Sequence, residues 1–279
     1  MKTLFSVIIP LYNKEESITA TVQSVLNQTY SNFELVIVND GSTDNSLEKV
    51  KVFSDPRIKI VDKPNGGVSS ARNTGIENAL GEWVSFIDAD DRWAVGYLEA
   101  VNKAIEDFPA ASVVVANYKK GKDCPYVKYS KRGYLSDYFL LAMKYNDIIC
   151  SSVISCKREC FKDVGLFTNK FSYGEDLNMW SRLADRYLIA YIPEVLAEYR
   201  IEAENRICNT KIDPEKSWEL HLKKDDFQSD SWPLYYYFRI SSTFIHYLRY
   251  RMFPNLRYLV SSYGLKTVLK SLKYRKLFR

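Results

Sequence analysis

The chain has 279 residues, 46% hydrophobic and 26% charged, the balance of a folded protein long enough to bury a sizeable core. No apolar run reaches the roughly 18 residues of an ordinary transmembrane helix, and the short FSVIIP segment near the start lacks the length and cleavage site of a secretory signal. The net charge of +5 hides two unlike parts: ten Lys and Arg and no acid lie in 232–279, which leaves 1–231 at −5. Five cysteines (Cys124, Cys150, Cys156, Cys160, Cys208) form an odd set with no C-x-x-C pair. That argues for reduced thiols in a cytosolic compartment and against a zinc knuckle or a disulfide scaffold.

The first hundred residues alternate between two periodicities. The β-branched run 5–9 reads as a strand ending at Pro10, and 17–26 as a helix with Ile18, Val22, Val25 and Leu26 on one side. A second strand over 33–38 stops at Asn39-Asp40-Gly41-Ser42, after which Thr43 or Asp44 can cap a helix carrying Leu47 and Val50. A third strand over 57–61 runs into Lys63-Pro64-Asn65-Gly66-Gly67, followed by a helix over 68–80 and a fourth strand over 83–87. Strands and helices alternating at this spacing imply a parallel sheet flanked by helices, with ligands beyond the C-terminal strand ends. Farther on, 119–131 is polar and basic and reads as a loop, and 148–156 reads as a core strand.

The polar segments just after the strands are where chemistry is expected. Asp88-Ala89-Asp90-Asp91 crowds three acids that repel one another unless something positive sits among them. A divalent cation is the simplest neutraliser, and hard carboxylate oxygens suit Mg²⁺ or Mn²⁺. The bland reading is a solvated turn capping a helix that begins near Val95. Neither a Walker loop nor a G-x-G-x-x-G is present.

Four segments together resemble an inverting family 2 glycosyltransferase of the GT-A fold: FSVIIPLYNKEESI (5–18), FELVIVNDGSTDNS (33–46), NGGVSSARNTGIENALGEWVSFIDADD (65–91) and FSYGEDLNMWSRL (171–183). The resemblance implies a mixed, mainly parallel α/β sheet flanked by helices. It places Pro10, Tyr12, Glu15, Asp40, Arg72, Asn73, Asp88 and Ala89 around a nucleotide-sugar, with Tyr12 against the base and Asp40 accepting from its edge. Asp88 and Asp90 form the D-x-D signature, Asp88 near the ribose and Asp90 on Mn²⁺ or Mg²⁺. Asp91 would be a supporting residue or a helix cap. Asp176 matches the catalytic base and Glu175 a residue that orients it or serves the acceptor, although acids at a helix start also serve as plain caps.

There are departures from the pattern. Where similar enzymes carry a His after a Tyr-Arg pair, Tyr199-Arg200-Ile201 is followed here by Glu202, a candidate third oxygen ligand; Arg200 and Arg206 are candidate diphosphate contacts. No Q-x-x-R-W follows the E-D pair, which argues against a processive synthase.

The expected organisation is a glycosyltransferase domain over 1–231, with a nucleotide part to about 118 and an acceptor part beyond it, then a basic helical appendage over 232–279. In that appendage Leu234, Phe238, Ser241, Ile245, Leu248 and Met252 form one apolar stripe. Leu265, Val268, Leu269 and Leu272, alternating with Lys266, Lys270 and Lys273, form another. Basic amphipathic helices with aromatic edges suit an anionic membrane surface; packing on the main domain or a homodimer contact is the alternative, and no nucleic-acid module accompanies the charge. The activity implied is transfer of one sugar from a nucleotide-diphosphate sugar, UDP-linked, to a saccharide or lipid-linked acceptor at the inner face of the membrane, as in lipopolysaccharide or capsule synthesis. The rivals are a non-catalytic nucleotide-sugar-binding scaffold and a sugar-phosphate nucleotidyltransferase. The latter would need a glycine-rich phosphate loop that 10–17 does not supply.

Overall fold

The computed structural model describes residues 3–121, 129–145, 148–206 and 213–275. Most of the loop expected at 119–131, together with Cys124 and Cys208, lies outside the described residues. The first half of the chain lays down β1 (Phe5–Leu11), α1 (Ile18–Leu26), β2 (Phe33–Asp40), α2 (Ser46–Lys51), β3 (Ile58–Lys63), α3 (Val68–Glu77) and β4 (Trp83–Phe86). The strands β3-β2-β1-β4 are mutually parallel. Their side chains are almost all buried in β1, β2 and β4, as expected of a parallel sheet covered on both faces.

β1 continues through Pro10 to Leu11, two residues past the expected stop. Proline is tolerated there because of where its missing N–H would point. Ile8 faces β4, its carbonyl accepting from Ile87 N at 3.1 Å, and Pro10 faces the same way beyond the last β4 pair, Ile8↔Phe86. The N-cap of α2 is Asn45, not the expected Thr43 or Asp44, although Asp44 Oδ1 accepts from Ser46 N at 3.0 Å just before the helix.

The second half adds β5 (Arg92–Trp93), α4 (Tyr97–Asp107), β6 (Val113–Lys120), β7 (Gly133–Tyr134), α5 (Tyr138–Tyr145), β8 (Ile154–Lys157), α6 (Cys160–Val164), α7 (Glu175–Arg186) and β9 (Ile189–Tyr199). The sheet order becomes β3-β2-β1-β4-β8-β6-β9-β5, with β7 on β9. β8 is antiparallel to both β4 and β6, so the sheet is mixed but parallel throughout β3-β2-β1-β4. The strand expected over 148–156 forms only from Ile154. Ser151–Val153 is a 3₁₀ turn whose serines face the site, so burial there reflects polar contacts and not strand pairing. Cys150, Cys156 and Cys160 are free thiols.

The C-terminal helices are α8 (Trp232–Arg249), α9 (Phe253–Tyr263) and α10 (Leu265–Arg275). None of the described helices is long and apolar enough to cross a membrane. α8 enters the core: Trp232 is fully buried, its indole N–H donates to Lys223 O at 3.0 Å, and its ring meets Phe227 at 4.5 Å and Phe139 at 5.3 Å. A cavity left at such a site costs roughly 3–5 kcal/mol. The inward face of α8 carries Trp232, Tyr235, Arg239, Thr243 and Tyr247, which is not the stripe expected from spacing. Phe238 and Ser241 of that stripe are buried as well, while Leu248 at its far end is exposed. α8 lies between the sheet domain and α10, so its first turns have no solvent face and period alone could not select one.

Candidate active site

The C-terminal ends of β1, β2 and β4 and the start of α7 open into one cavity of about 810 Å³. Its lining includes Pro10, Tyr12, Asp40, Arg72, Asp88, Ala89, Asp90, Glu175, Asp176 and Arg206. A nucleotide-sugar belongs to the size class of ligands that cavities of this order enclose.

Arg72 is a buried residue of its lining. It lies on α3, which approaches β1 closely because Gly75 leaves room that a side chain would deny: a Cβ there would stand 2.4 Å from Ile8 Cγ2. The Arg72 guanidinium is buried and donates to Asp88 Oδ1 at 2.9 Å, Glu175 Oε1 at 2.9 Å and Ser151 Oγ at 3.0 Å. Burial alone would disfavour this cation, but Asp88, Glu175 and Asp176 outweigh it and raise its pKa above the ordinary arginine value. Residues 103 positions apart are thus joined through one side chain.

Positive groups of the chain itself sit among the three acids. Lys14 Nζ donates to Asp90 Oδ2 at 2.6 Å and to the Glu204 carbonyl at 2.5 Å, and Arg72 takes Asp88. Burial, with Asp88 close by, still raises the Asp90 pKa, although Lys14 and Arg206 oppose it. Asp91 does not line the cavity. It is fully buried, accepts from Ser152 Oγ at 2.5 Å and Arg200 N at 2.9 Å, and burial pushes its pKa well up, which favours the protonated form. It is therefore a supporting residue and not the cap of α4.

Asp40 is almost fully buried and braces the loop before α3: Oδ1 accepts from Lys63 Nζ at 2.5 Å and Gly66 N at 3.0 Å, and Oδ2 from Gly67 N at 2.8 Å. A carboxylate has about four acceptor positions, so the Oδ2 edge retains capacity toward the cavity. Tyr12, 40% exposed, forms part of the rim.

At the opposite wall Gly174 adopts a left-handed φ of 75° and starts α7 with Glu175 and Asp176 in its first turn. Glu175 is buried and its pKa is pushed up to about 7 by burial and by Asp176, against the opposing pull of Arg72. Asp176 is half-buried and Oδ1 accepts from Leu177 N at 2.7 Å.

Four expected site residues are not brought to the cavity. Glu15 accepts from Asn45 N at 3.0 Å and fastens the loop before α2. Both ends of the Asn73 amide are taken by the Phe167 backbone, at 2.8 and 2.9 Å, so it holds the loop before α7. Glu202 is exposed, near Gly121. Arg200 uses its backbone N–H on Asp91 and its guanidinium on Ser17 Oγ at 3.2 Å, whereas Arg206 does reach the cavity, stacked over Tyr199 at 4.8 Å. Residues that spacing did not reveal are Lys14, Ser151, Glu204, Lys216 and Arg239. Glu204 accepts from Ser17 N at 3.0 Å and Ser17 Oγ at 2.6 Å, which fixes the segment carrying Arg206 against the start of α1.

Among the described residues no group of three or more His, Cys, Asp or Glu could hold a metal by itself. Asp88 and Asp90 still supply two hard carboxylates on one wall, the donor set on which Mg²⁺ or Mn²⁺ sits when substrate phosphates and water complete its shell. The residues therefore fit a divalent ion shared with a diphosphate.

The family model for glycosyl transferase family 2 matches residues 6–164. The chain belongs to that family. Similar curated proteins include an uncharacterized glycosyltransferase of Rickettsia felis, 33% identical over 219 residues, covering 77% of this chain and 35% of the relative. Glycosyltransferase GlyA of Streptococcus pneumoniae is 44% identical over 115 residues, covering 40% of this chain and 16% of the relative. The Escherichia coli protein WfgD, named a UDP-Glc:alpha-D-GlcNAc-diphosphoundecaprenol beta-1,3-glucosyltransferase, is 45% identical over 97 residues, covering 34% of this chain and 38% of the relative. The chain thus spans between a sixth and two-fifths of these relatives. Among solved structures, S. aureus TarS 1–349 in complex with UDP-GlcNAc shares the fold with a TM-score of 0.70 at 19% identity, covering 94% of this chain and 91% of that one. The coverage extends the shared fold well beyond the family-model match.

In this family 2 member the raised Glu175 pKa has a sign that can be measured. A carboxyl whose folded pKa lies above its unfolded value binds its proton more tightly when folded. Stability is therefore expected to fall as pH rises from about 4.5 through 7. Glu175→Gln removes this titration, and urea denaturation between pH 5 and 8 should show a smaller loss for the variant than for wild type. An equal loss would mean that Glu175 does not titrate in this range.

Proposed function

We propose that the protein is an inverting glycosyltransferase that moves one sugar from a nucleotide-diphosphate sugar, UDP-linked, to a saccharide acceptor in surface-polysaccharide synthesis. The observation that carries this reading is Arg72, which holds the D-x-D acid Asp88 and the E-D acid Glu175 on one guanidinium in the lining of a single cavity. Donor and acceptor groups are thereby fixed relative to each other, which a transfer reaction requires.

Tyr12 and Asp40 serve the base, and Asp88, Ala89 and Arg72 the ribose and diphosphate side. Mn²⁺ or Mg²⁺ would be held by Asp90 with Asp88 and, when bound, supplies charge stabilisation for the departing diphosphate. Lys14, Arg72 and Arg206 add fixed positive charge along the same wall, already in place before the reaction. Asp176 accepts the proton of the acceptor hydroxyl as that oxygen attacks the anomeric carbon from the face opposite the diphosphate. One such displacement inverts the centre. Glu175, bound to Arg72, orients this end of α7, and its raised pKa lessens the like charge beside Asp176.

A peripheral place on an anionic membrane, with a lipid-linked acceptor, fits the C-terminal helices. Leu248, Tyr250, Phe253, Leu265 and Leu269 are exposed, as are Arg249, Arg251, Arg257, Lys266 and Lys270, and 232–279 contains no acid.

Asp176→Asn should bind UDP as wild type does yet lose at least ~100-fold in sugar transfer or UDP-sugar hydrolysis. Transfer by the variant at the wild-type rate would remove Asp176 as base, and a wild type that binds UDP without any turnover would favour the scaffold reading. The double substitution Leu265→Ser and Leu269→Ser should weaken sedimentation with phosphatidylglycerol vesicles by roughly tenfold while leaving UDP binding unchanged. Unaltered sedimentation would remove α10 as the attachment face.

A further inference from the structure

We propose that Asn73 and Arg182 are positioning residues, which clamp the loop before α7 between them and so fix how the base-bearing helix stands against the donor wall. This inference rests on the glycosyl-transfer reading above and deepens it.

Glu175 ties the first turn of α7 to Arg72 of α3, but one point of attachment leaves a helix free to swing about it. A second attachment lies seven residues on, about 10 Å along the axis. There Arg182 reaches to the turn after α6, where Gly165 adopts a left-handed φ of 76°. Its guanidinium donates to the carbonyls of Val164, of Gly165 at 3.3 Å and of Leu166 at 3.0 Å. Its Nε donates to Asn178 Oδ1 at 3.1 Å, which holds the side chain against its own helix. The next residue of the loop is held by α3. Asn73 Nδ2 donates to Phe167 O at 2.8 Å, and Phe167 N donates to Asn73 Oδ1 at 2.9 Å. Four successive residues, Val164 to Phe167, are thus gripped by α3 and α7 together.

The Phe167 ring carries this grip inward. It is buried, with the Arg72 guanidinium carbon 5.4 Å from its centroid. It meets Phe86 edge-on at 5.6 Å and Trp180 edge-on at 5.8 Å, which gives the ring a defined seat. Phe86 ends β4 two residues before Asp88, and Trp180 follows Asp176 by four, on the same face of α7. One ring therefore rests on the elements that carry Asp88, Arg72 and Asp176.

Asn73, Phe167 and Arg182 do not line the cavity, whereas Asn169, Phe171, Ser172 and Tyr173, farther along the same loop, do. The clamp therefore acts on geometry and makes no contact with substrate. In-line attack on the anomeric carbon needs the base, the acceptor oxygen and the departing diphosphate in register, and small displacements are costly.

The test is hydrolysis of UDP-GlcNAc and UDP-glucose with Mn²⁺, expressed per UDP-binding site counted by calorimetry. Asn73→Ala and Arg182→Met should each lower kcat per site at least about tenfold, with UDP affinity unchanged. Because both act on one loop, the double variant should lose little more than the worse single one. A clamp that only stabilises the fold would reduce the number of UDP-binding sites and leave turnover per site as in wild type. That result, or losses that multiply in the double variant, would overturn the proposal. If Asn73→Ala binds no UDP, Arg182→Met decides by the same comparison, and loss of UDP sites in both variants would overturn the proposal too. A wild type that does not bind UDP, or binds it and hydrolyses neither sugar nucleotide, would instead overturn the reading on which it rests.

Discussion

A single buried guanidinium sets the arrangement of the site. Arg72 is 3% exposed and contacts groups from the end of β4, the turn before β8 and the start of α7. A cation so deeply buried must be matched by carboxylates, and those carboxylates in turn need the cation; removing one partner of such a set typically costs about 3–5 kcal/mol. The position of α3 against β1 through Gly75, the turn at 151–153 and the left-handed Gly174 all serve to bring these partners within reach.

Around this centre the chain balances its own charges. Lys14 meets Asp90, Lys63 meets Asp40, and buried Asp91 has its pKa raised toward the protonated form. The crowding of acids that pointed to a divalent ion is thus relieved in part by lysine and arginine. In the proposed reaction Asp88 and Asp90, which line the cavity, are the carboxylates that would share a divalent ion with a diphosphate. The C-terminal helices complete the other wall, since α8 both packs into the aromatic core around Trp232 and carries Arg239 to the cavity.

The alternating strands and helices of the first half were legible because parallel strands buried on both faces read as apolar runs with polar ends. Pro10, Tyr12, Asp40, Asp88, Asp90 and Asp176 lie at strand ends or open a helix, where ligands are expected, while Arg72, in the middle of α3, was placed by the family resemblance alone. What was not legible depends on distant contacts. Asn73 is adjacent to Arg72 yet helical phase turns it to the Phe167 backbone, and Glu15, in the turn before α1, reaches instead to Asn45; motif proximity alone reveals neither. The Lys14–Asp90 pair spans 76 residues and has no local signature. The buried face of α8 was misread because the helix is covered on two sides, so its apolar residues do not form a single stripe.

On this reading the acids at the strand ends form a metal-assisted nucleotide-diphosphate site. Isothermal calorimetry of UDP binding with and without Mn²⁺, on wild type and on Asp90→Ala, tests it most directly. Mn²⁺ should strengthen binding in wild type and should not strengthen it in Asp90→Ala. Absence of UDP binding to wild type under either condition, or an equal response to Mn²⁺ in the variant, would contradict it.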